Sequence, residues 1–362
     1  MSSPAEIPFD EVLAALLNGD TPLKARFLYR LSDLDPEELA LLKAGWPRLP
    51  GWRRRALLED LDELGSADDL LSFEGIGRHA VTDEDALVRL LGVHLLWEFD
   101  AHDLIPLFLE LLRSDAEADV RAAAATALSQ FVYLGEIDRL PPEKLGQIED
   151  TLLASITRDS SHQVRLRALE SIGYSSRDEV PPLIERTFSA GDQEGMASAL
   201  TAMGRSMDER WEQDVVEMLE HQAAMVRAEA ARAAGEMELS EAVARLVNMT
   251  RDSDEDVRYA AIWSLSQIGG DRARQALENL LRRAEVDEEA GYIESALDNL
   301  AFNDGLEAFS LFNIAEGDED LEDDDFEDED DYLDFDDEED LDEGGFLDTD
   351  DYDDIEDEDR RY

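Results

Sequence analysis

One phrase, opened by a Val-Arg pair, recurs along this chain, and it constrains the fold more than any other feature. The pairs are Val88-Arg89, Val120-Arg121, Val164-Arg165, Val226-Arg227 and Val257-Arg258. Four residues after each valine stands a small residue: Gly92, Ala124, Ala168, Ala230 and Ala261. Eight after it stands an apolar one: Leu96, Leu128, Ile172, Ala234 and Leu265. Degenerate copies open at Trp52-Arg53, Gly195-Met196 and Gly291-Tyr292, with Ala56, Ala199 and Ser295 at the small position. Between 164 and 257 the step is 31 residues, three times over. A fixed period of this size is the mark of a stacked repeat.

Positions zero, four and eight of a helix share one stripe. A small residue in its middle lets a neighbouring helix approach closely. Upstream of the phrases lie second amphipathic segments, at Asp103–Arg113, Pro142–Arg158, Val180–Ala190, Trp211–His221, Glu241–Arg251 and Arg272–Arg283. Short polar links such as Asp252-Ser253-Asp254-Glu255 join the two. Each unit is therefore a helical hairpin too small to bury its own apolar face, and stacking solves that problem. No sustained two-residue alternation marks a strand.

The phrase Asp254-Glu255-Asp256-Val257-Arg258-Tyr259-Ala260-Ala261-Ile262-Trp263-Ser264-Leu265 resembles HEAT repeats, in particular the short class known from phycobilisome lyases. The resemblance covers roughly residues 50–302. It implies an all-α fold, a right-handed α-α superhelix (HEAT-like solenoid) whose second helices line the concave face. It also implies a structural ladder of Asp and Arg, with Asp85 and Arg89, or Asp254 and Arg258, as members, interrupted at Ser161, Met196, Ala223 and Tyr292.

The expected organisation is an N-terminal helical cap or variant repeat at 1–50, HEAT-like repeats at 51–302, a capping helix at 303–315 that folds back over Ile293 and Leu297, and a disordered acidic tail at 316–362. The first region reads as three short helices, Phe9–Leu17, Leu23–Leu31 and Pro36–Lys43. The tail holds thirty acidic residues between 316 and 359 and no Lys, Arg or His there. Its apolar content is too low to offset the entropy of ordering. Phe326, Tyr332, Phe335, Phe346 and Tyr352 are nonetheless spaced through it, a composition suited to a basic partner or to folding back on the array.

The net charge is −59, of which −31 belongs to residues 1–315. Such a balance speaks against duplex nucleic acid, which requires Lys and Arg at phosphates, and against anionic membranes. It favours a basic partner. No cysteine is present. The residues Met1–Asp10 do not form a secretory signal, and no run of about 18 apolar residues spans a membrane. The expectation is a cytoplasmic monomer.

Counting the valine as zero, positions two, six and ten should face away from the buried stripe. Tyr259 and Trp263 stand out there, one turn apart, as aromatic anchors of the kind found at binding hot spots. Gln267, Arg232, Tyr174 and His94 occupy the same rows. A second candidate is the locally positive stretch 22–55, with eight basic and four acidic residues. Arg53, Arg54 and Arg55 there are the candidate site for an anion or for the protein's own tail.

Enzymatic alternatives find little support. HEAT-like di-iron hydroxylases use His-Glu dipeptides, and here every histidine is followed by another residue: His79-Ala80, His94-Leu95, His102-Asp103, His162-Gln163 and His221-Gln222. No nucleotide-binding loop, serine nucleophile motif or cofactor motif occurs. The reading is a protein-protein interaction scaffold that holds a partner on the concave face, modulated by the tail, with no cofactor or metal. A chaperone-like binder of basic proteins through the tail and a bilin-lyase-like enzyme are the alternatives.

Overall fold

The computed structural model describes residues 7–18, 22–284 and 286–317, with side chains as far as Asn303. Among these residues every regular element is helical. Three short helices come first: α1 (Phe9–Leu17), α2 (Ala25–Tyr29) and α3 (Pro36–Gly45). Helix α3 starts where Asp35 accepts from the amides of Glu37 and Glu38 and Pro36 fills the first turn, a position that needs no amide proton. Then follow α4 (Gly51–Ala67), α5 (Glu74–Ala80), α6 (Ala86–His94), α7 (Ile105–Ser114), α8 (Ala118–Glu136), α9 (Pro142–Arg158) and α10 (His162–Ile172). The rest are α11 (Val180–Ser189), α12 (Gln193–Ser206), α13 (Glu212–Met218), α14 (Ala224–Glu236), α15 (Val243–Met249), α16 (Glu255–Ile268), α17 (Gly270–Leu281) and α18 (Asp287–Gly317).

The hairpins pair α5 with α6, α7 with α8, α9 with α10, α11 with α12, α13 with α14 and α15 with α16. The second helices then stack on one another, α4 on α6 and so on through α14 on α16. This is the α-α solenoid that the repeat pattern demands. Its stripe is buried as read: Val88, Val120, Val164, Val226 and Val257 at position zero, and Leu96, Leu128, Ile172, Met203, Ala234 and Leu265 at position eight.

Two degenerate copies are displaced by one residue from the sequence frame. Trp52 is exposed, whereas Arg53, Leu57 and Leu61 take the buried positions zero, four and eight. At the other end Ala296 and Leu300 are buried, so the frame opens at Tyr292 rather than Gly291. Neither place has the valine that would fix the phase, and an amphipathic stripe one residue off looks much the same in sequence.

The Asp–Arg ladder exists, but its pairing differs from the expectation. Asp85 and Asp254 cap their helices, accepting from the amides of Leu87 and Val257. The ladder acceptor lies two residues earlier and belongs to the next unit. Arg89 grips Asp115 through Nε and Nη2 at 2.7 and 2.8 Å. Arg121 grips Asp159 at 2.8 and 2.9 Å, and Arg227 grips Asp252 at 2.9 and 2.8 Å. Each Nη1 also donates to loop carbonyls of its own unit, as Arg121 does to Asp115 and Ala116. The series breaks in mid-array, where Ala190 stands at the acceptor position and Met196 at the donor position.

A second ladder joins the stacked helices at their closest approach. A Cβ at Gly173 would lie 2.8 Å from the Cα of Ala202, at Gly204 2.9 Å from that of Ala233, and at Gly235 2.9 Å from that of Ser264. Position nine of one helix thus meets position seven of the next, and only glycine permits that spacing.

The buried side chains form two clusters. One runs from Val81 to Leu300. The other joins α1–α3 to α4–α6, from Ile7 to Leu95, so the boundary expected at residue 50 falls inside a shared core. Residues 303–315, expected to turn back as a separate helix, continue α18 instead. Ile293 is buried and Leu297 packs partly against the main core. Residues 318–362, with nearly all of the acidic stretch, lie outside the described residues.

Candidate protein-binding groove

The exposed face of the stacked second helices was expected at positions two, six and ten. The structure shifts it. Ala122, Leu166, Ala197 and Ala228, all at position two, are buried between neighbours. Positions minus one, six and ten, with position three at Arg167 and Glu229, line the open face, and Leu166 and Ala197 form part of its floor. The cause is close stacking: each helix has neighbours on both flanks as well as its hairpin mate, which leaves only a narrow wet stripe.

Along α10, α12 and α14 this face hollows into a groove of about 750 Å³. Its lining includes three arginines, Arg167, Arg205 and Arg232, and four glutamates, Glu170, Glu194, Glu229 and Glu236. Glu170 is only 7 % exposed. It accepts from the Ser198 hydroxyl at 2.5 Å and pairs with Arg167 at 2.8 Å. Burial pushes its carboxyl above the ordinary range, and Arg167 and Ser198 counter only part of that. Arg205 donates to the Ser129 hydroxyl and to the Glu170 carbonyl, and its guanidinium lies 5.3 Å from the centre of the Tyr174 ring. Thr201 donates to Glu229, which also holds Arg232 in an ion pair. Glu236 differs from its neighbours: it makes no hydrogen bond or ion pair among the described residues. Its Oε2 is buried without a partner, and burial raises its pKa while Arg205 opposes the rise.

Aromatic groups flank this groove on the same face. Towards the N-terminus His94 stacks on Trp97 at 4.8 Å, and Tyr133 meets the edge of Tyr174 at 5.4 Å. Towards the C-terminus Tyr292 packs 4.7 Å from Tyr259 and 6.4 Å from Trp263. Three of these rings are open to solvent: Trp97 (40 %), Tyr133 (48 %) and Trp263 (37 %). Tyr259 is half-buried, and its carbonyl accepts from the Tyr292 hydroxyl. Gln267 lies over Gly235.

The structure thus brings Tyr174 and Arg232 into or against the groove, sets Tyr259, Trp263 and Gln267 beyond it on α16, and leaves His94 at the far end with Trp97. Trp97 and Tyr133 were not legible as site residues, since they fall at positions nine and thirteen, outside the rows that periodicity exposes. Glu170, Arg205 and Glu236 do stand in those rows, but a charge there reads as a solvated one. Only the packing shows their burial.

The candidate anion site is differently placed. Arg53 is 6 % and Arg54 8 % exposed. Arg53 donates to the carbonyls of Ala15 and Leu16 at the end of α1, where the helix dipole favours a cation. Arg54 pairs with Asp83 at 2.6 Å and Glu84 at 3.0 Å, and Arg55 with Asp85 at 2.9 Å. The three do not converge on a common open surface. Among the described residues no group of three or more His, Asp or Glu stands where it could hold a metal ion, and no helix is long and apolar enough to cross a membrane.

Comparison with known proteins gives concordant matches to the repeat. A family model described as HEAT repeats matches residues 212–298, and a HEAT repeat model matches 104–134. No sequence match was found among curated proteins. Solved structures similar to this chain include the complex of CpcE and CpcF of phycocyanin lyase from Nostoc, at 17% identity over 63% of this chain and 94% of that one, TM-score 0.43. Human deoxyhypusine hydroxylase is similar at 17% identity over 74% and 96%, TM-score 0.32. Importin beta is similar at 13% identity over 81% of this chain and 46% of that one, TM-score 0.39. At these values no activity or partner passes from them to this chain. The matched segments, 104–134 and 212–298, are among the units whose Val-Arg phrases, paired helices and Arg–Asp ladder are described above, and over those segments the chain is similar to HEAT repeats.

Proposed function

We propose that this protein is a non-catalytic interaction scaffold that holds a protein partner on the open face of its second helices, between α6 and α16. The observation that carries the reading is the exposure of Trp97, Tyr133 and Trp263 on one face, on either side of a charged groove. Large rings left in water beside partly desolvated charges are the composition of interface anchors.

The test is partner capture by the full chain, followed by chemical crosslinking to locate the contact. Trp97→Ala, Tyr133→Ala and Trp263→Ala should each weaken capture by about tenfold or more, the ~1.4 kcal/mol or larger loss typical of an anchor residue. Crosslinks that fall on the first helices of the hairpins, with capture unchanged in the three variants, would refute it.

A further inference from the structure

A second cavity opens at the N-terminal end of the open face, lined by none of the residues of the charged groove. It holds about 300 Å³, the small end of the range for a ligand site, and suits one long side chain. The link from α4 to α5 forms one wall and the link after α6 another. Both walls are pinned. Gln130 donates to the carbonyls of Trp97 and Phe99 at 2.7 and 3.0 Å. Across the cavity the Ser72 amide donates to the Ser32 hydroxyl, and the Ser72 carbonyl accepts from the Asp33 amide. The cavity is thus built into the fold, and a ligand would not have to order it.

Phe73 and Leu95 line it from the buried side. Its mouth is apolar and wet: Leu70 is 89 % and Trp97 40 % exposed. Two such groups at one opening make a contact surface, unlike single apolar residues scattered over a protein. The charges around the cavity have one sign. Asp62, Asp69 and Glu98 line it, and none of these carboxylates takes a hydrogen bond or an ion pair among the described residues. No Lys or Arg lines it. His94 is the one lining group able to become a cation, and burial pushes its imidazole below the ordinary range against the pull of Asp62. At neutral pH it is an uncharged ring stacked on Trp97.

Carboxylates are common on a chain of net charge −59. The particular feature here is that three unpaired ones share a cavity with an open tryptophan and no counter-charge. Both draw the same ligand: a cation is attracted by the ring face and by the carboxylates.

We propose that this cavity is the seat of one basic residue of the partner protein, a lysine or an arginine, with its cation between Trp97 and the carboxylates of Asp62, Asp69 and Glu98. This deepens the scaffold reading and rests on it. The apolar stem of such a residue covers Leu70 while its charged head meets the acids. A purely apolar side chain would cover Leu70 but leave the acids without a counter-charge, and an acidic one would be repelled.

The probe is a heptapeptide of Gly and Ser with one central Arg, titrated at physiological salt into the full chain carrying 5-fluorotryptophan. The fluorine resonance of Trp97 is identified by its loss in Trp97→Phe. It should shift saturably, while that of Trp52, exposed but not lining the cavity, stays in place. A companion peptide with norleucine in place of Arg should bind about tenfold more weakly. The triple variant Asp62→Asn, Asp69→Asn, Glu98→Gln should weaken the Arg peptide by about tenfold or more. A control triple of exposed glutamates elsewhere, Glu143→Gln, Glu185→Gln, Glu241→Gln, removes the same charge and should leave binding within a factor of about two. Equal effects of the two triples, or equal shifts at Trp52 and Trp97, would show diffuse attraction to an acidic protein and overturn the proposal. So would equal affinity for the norleucine peptide, or no shift at Trp97. The thermal midpoint of the cavity triple should match or exceed that of the parent, so loss of binding is not loss of fold. Partner capture lost in Tyr133→Ala and Trp263→Ala but retained in the cavity triple would reject the basic residue while leaving the scaffold reading intact.

Discussion

Arg121 closes a two-pronged ion pair on Asp159, reaching from the second helix of one unit to the loop that opens the next helix two elements later. Both groups are nearly buried, at 13 % and 11 % side-chain exposure, so solvent screens the pair weakly. Asp159→Ala leaves a desolvated guanidinium with only the carbonyls of Asp115 and Ala116. It should lower unfolding free energy by about 2–3 kcal/mol, as the loss of charged hydrogen bonds does. Urea denaturation measures this, and a double variant with Arg121→Ala should cost less than the sum of the two. Full additivity would mean that the contact does not couple the units.

The same pairs set the response to acid. The hydrogen bond from Arg121 holds the Asp159 carboxyl below the ordinary range, and that from Arg227 does the same for Asp252. For Asp115 burial pushes upward, but the bond from Arg89 and a backbone amide prevail, and the net shift is down. A depressed folded pKa gives stability that is fully present above the unfolded value, about 3.9. It is lost as pH falls through the lower folded values. The thermal midpoint should therefore drop below about pH 4, and Asp159→Ala should flatten that acid limb. An acid limb of the same steepness in the variant would remove the ladder from this account.

Two glycines offer opposite outcomes for one substitution. Gly204→Ala places a methyl group 2.9 Å from the Ala233 backbone and against the Glu236 carboxylate. It should destabilise by about 1–3 kcal/mol, the cost of overpacking a close helix contact. Gly146→Ala, inside α9, meets nothing within 4 Å. There the gain in helix propensity should stabilise by up to about 1 kcal/mol. Calorimetry on the two variants should give shifts of opposite sign.

At the N-terminal end, Asp83 accepts from Trp46 at 2.7 Å and from Arg54 at 2.6 Å in a buried triad. Arg54→Ala should cost about 3–5 kcal/mol, because a buried ion pair is broken by removing one partner. Arg55→Ala, whose pair with Asp85 is more open to solvent, should cost less than about 1 kcal/mol. Comparable losses for the two would show that the burial of Arg54 does not matter.

The helical hairpins, and even the bounds of α1 and α9, were legible because caps, prolines and apolar spacing act locally. The buried stripe was legible for the same reason. The pairing of the ladder was not: Asp85 and Asp115 look alike in sequence, and only the stack decides which faces Arg89. The frames at Arg53 and Tyr292 slipped by one because no valine pins them. For the groove, the rows containing Tyr174, Arg232 and Trp263 could be read, but the lateral burial that hides Leu166 and strands Glu236 is a property of two neighbouring helices. Periodicity along one helix does not contain it.

The gap in the Arg–Asp ladder has a consequence for how the protein bears load. At Ala190 and Met196 the Arg–Asp stitches are missing, and hydrogen bonds across the open face, Ser198 to Glu170 and Thr201 to Glu229, join the glycine contacts in holding the α10–α12–α14 joints. Those contacts are also walls of the groove. Cohesion and occupancy therefore share the same atoms there: a tenant of the groove bears on joints that lack the Arg–Asp stitch, and strain along the stack would reach its grip through them.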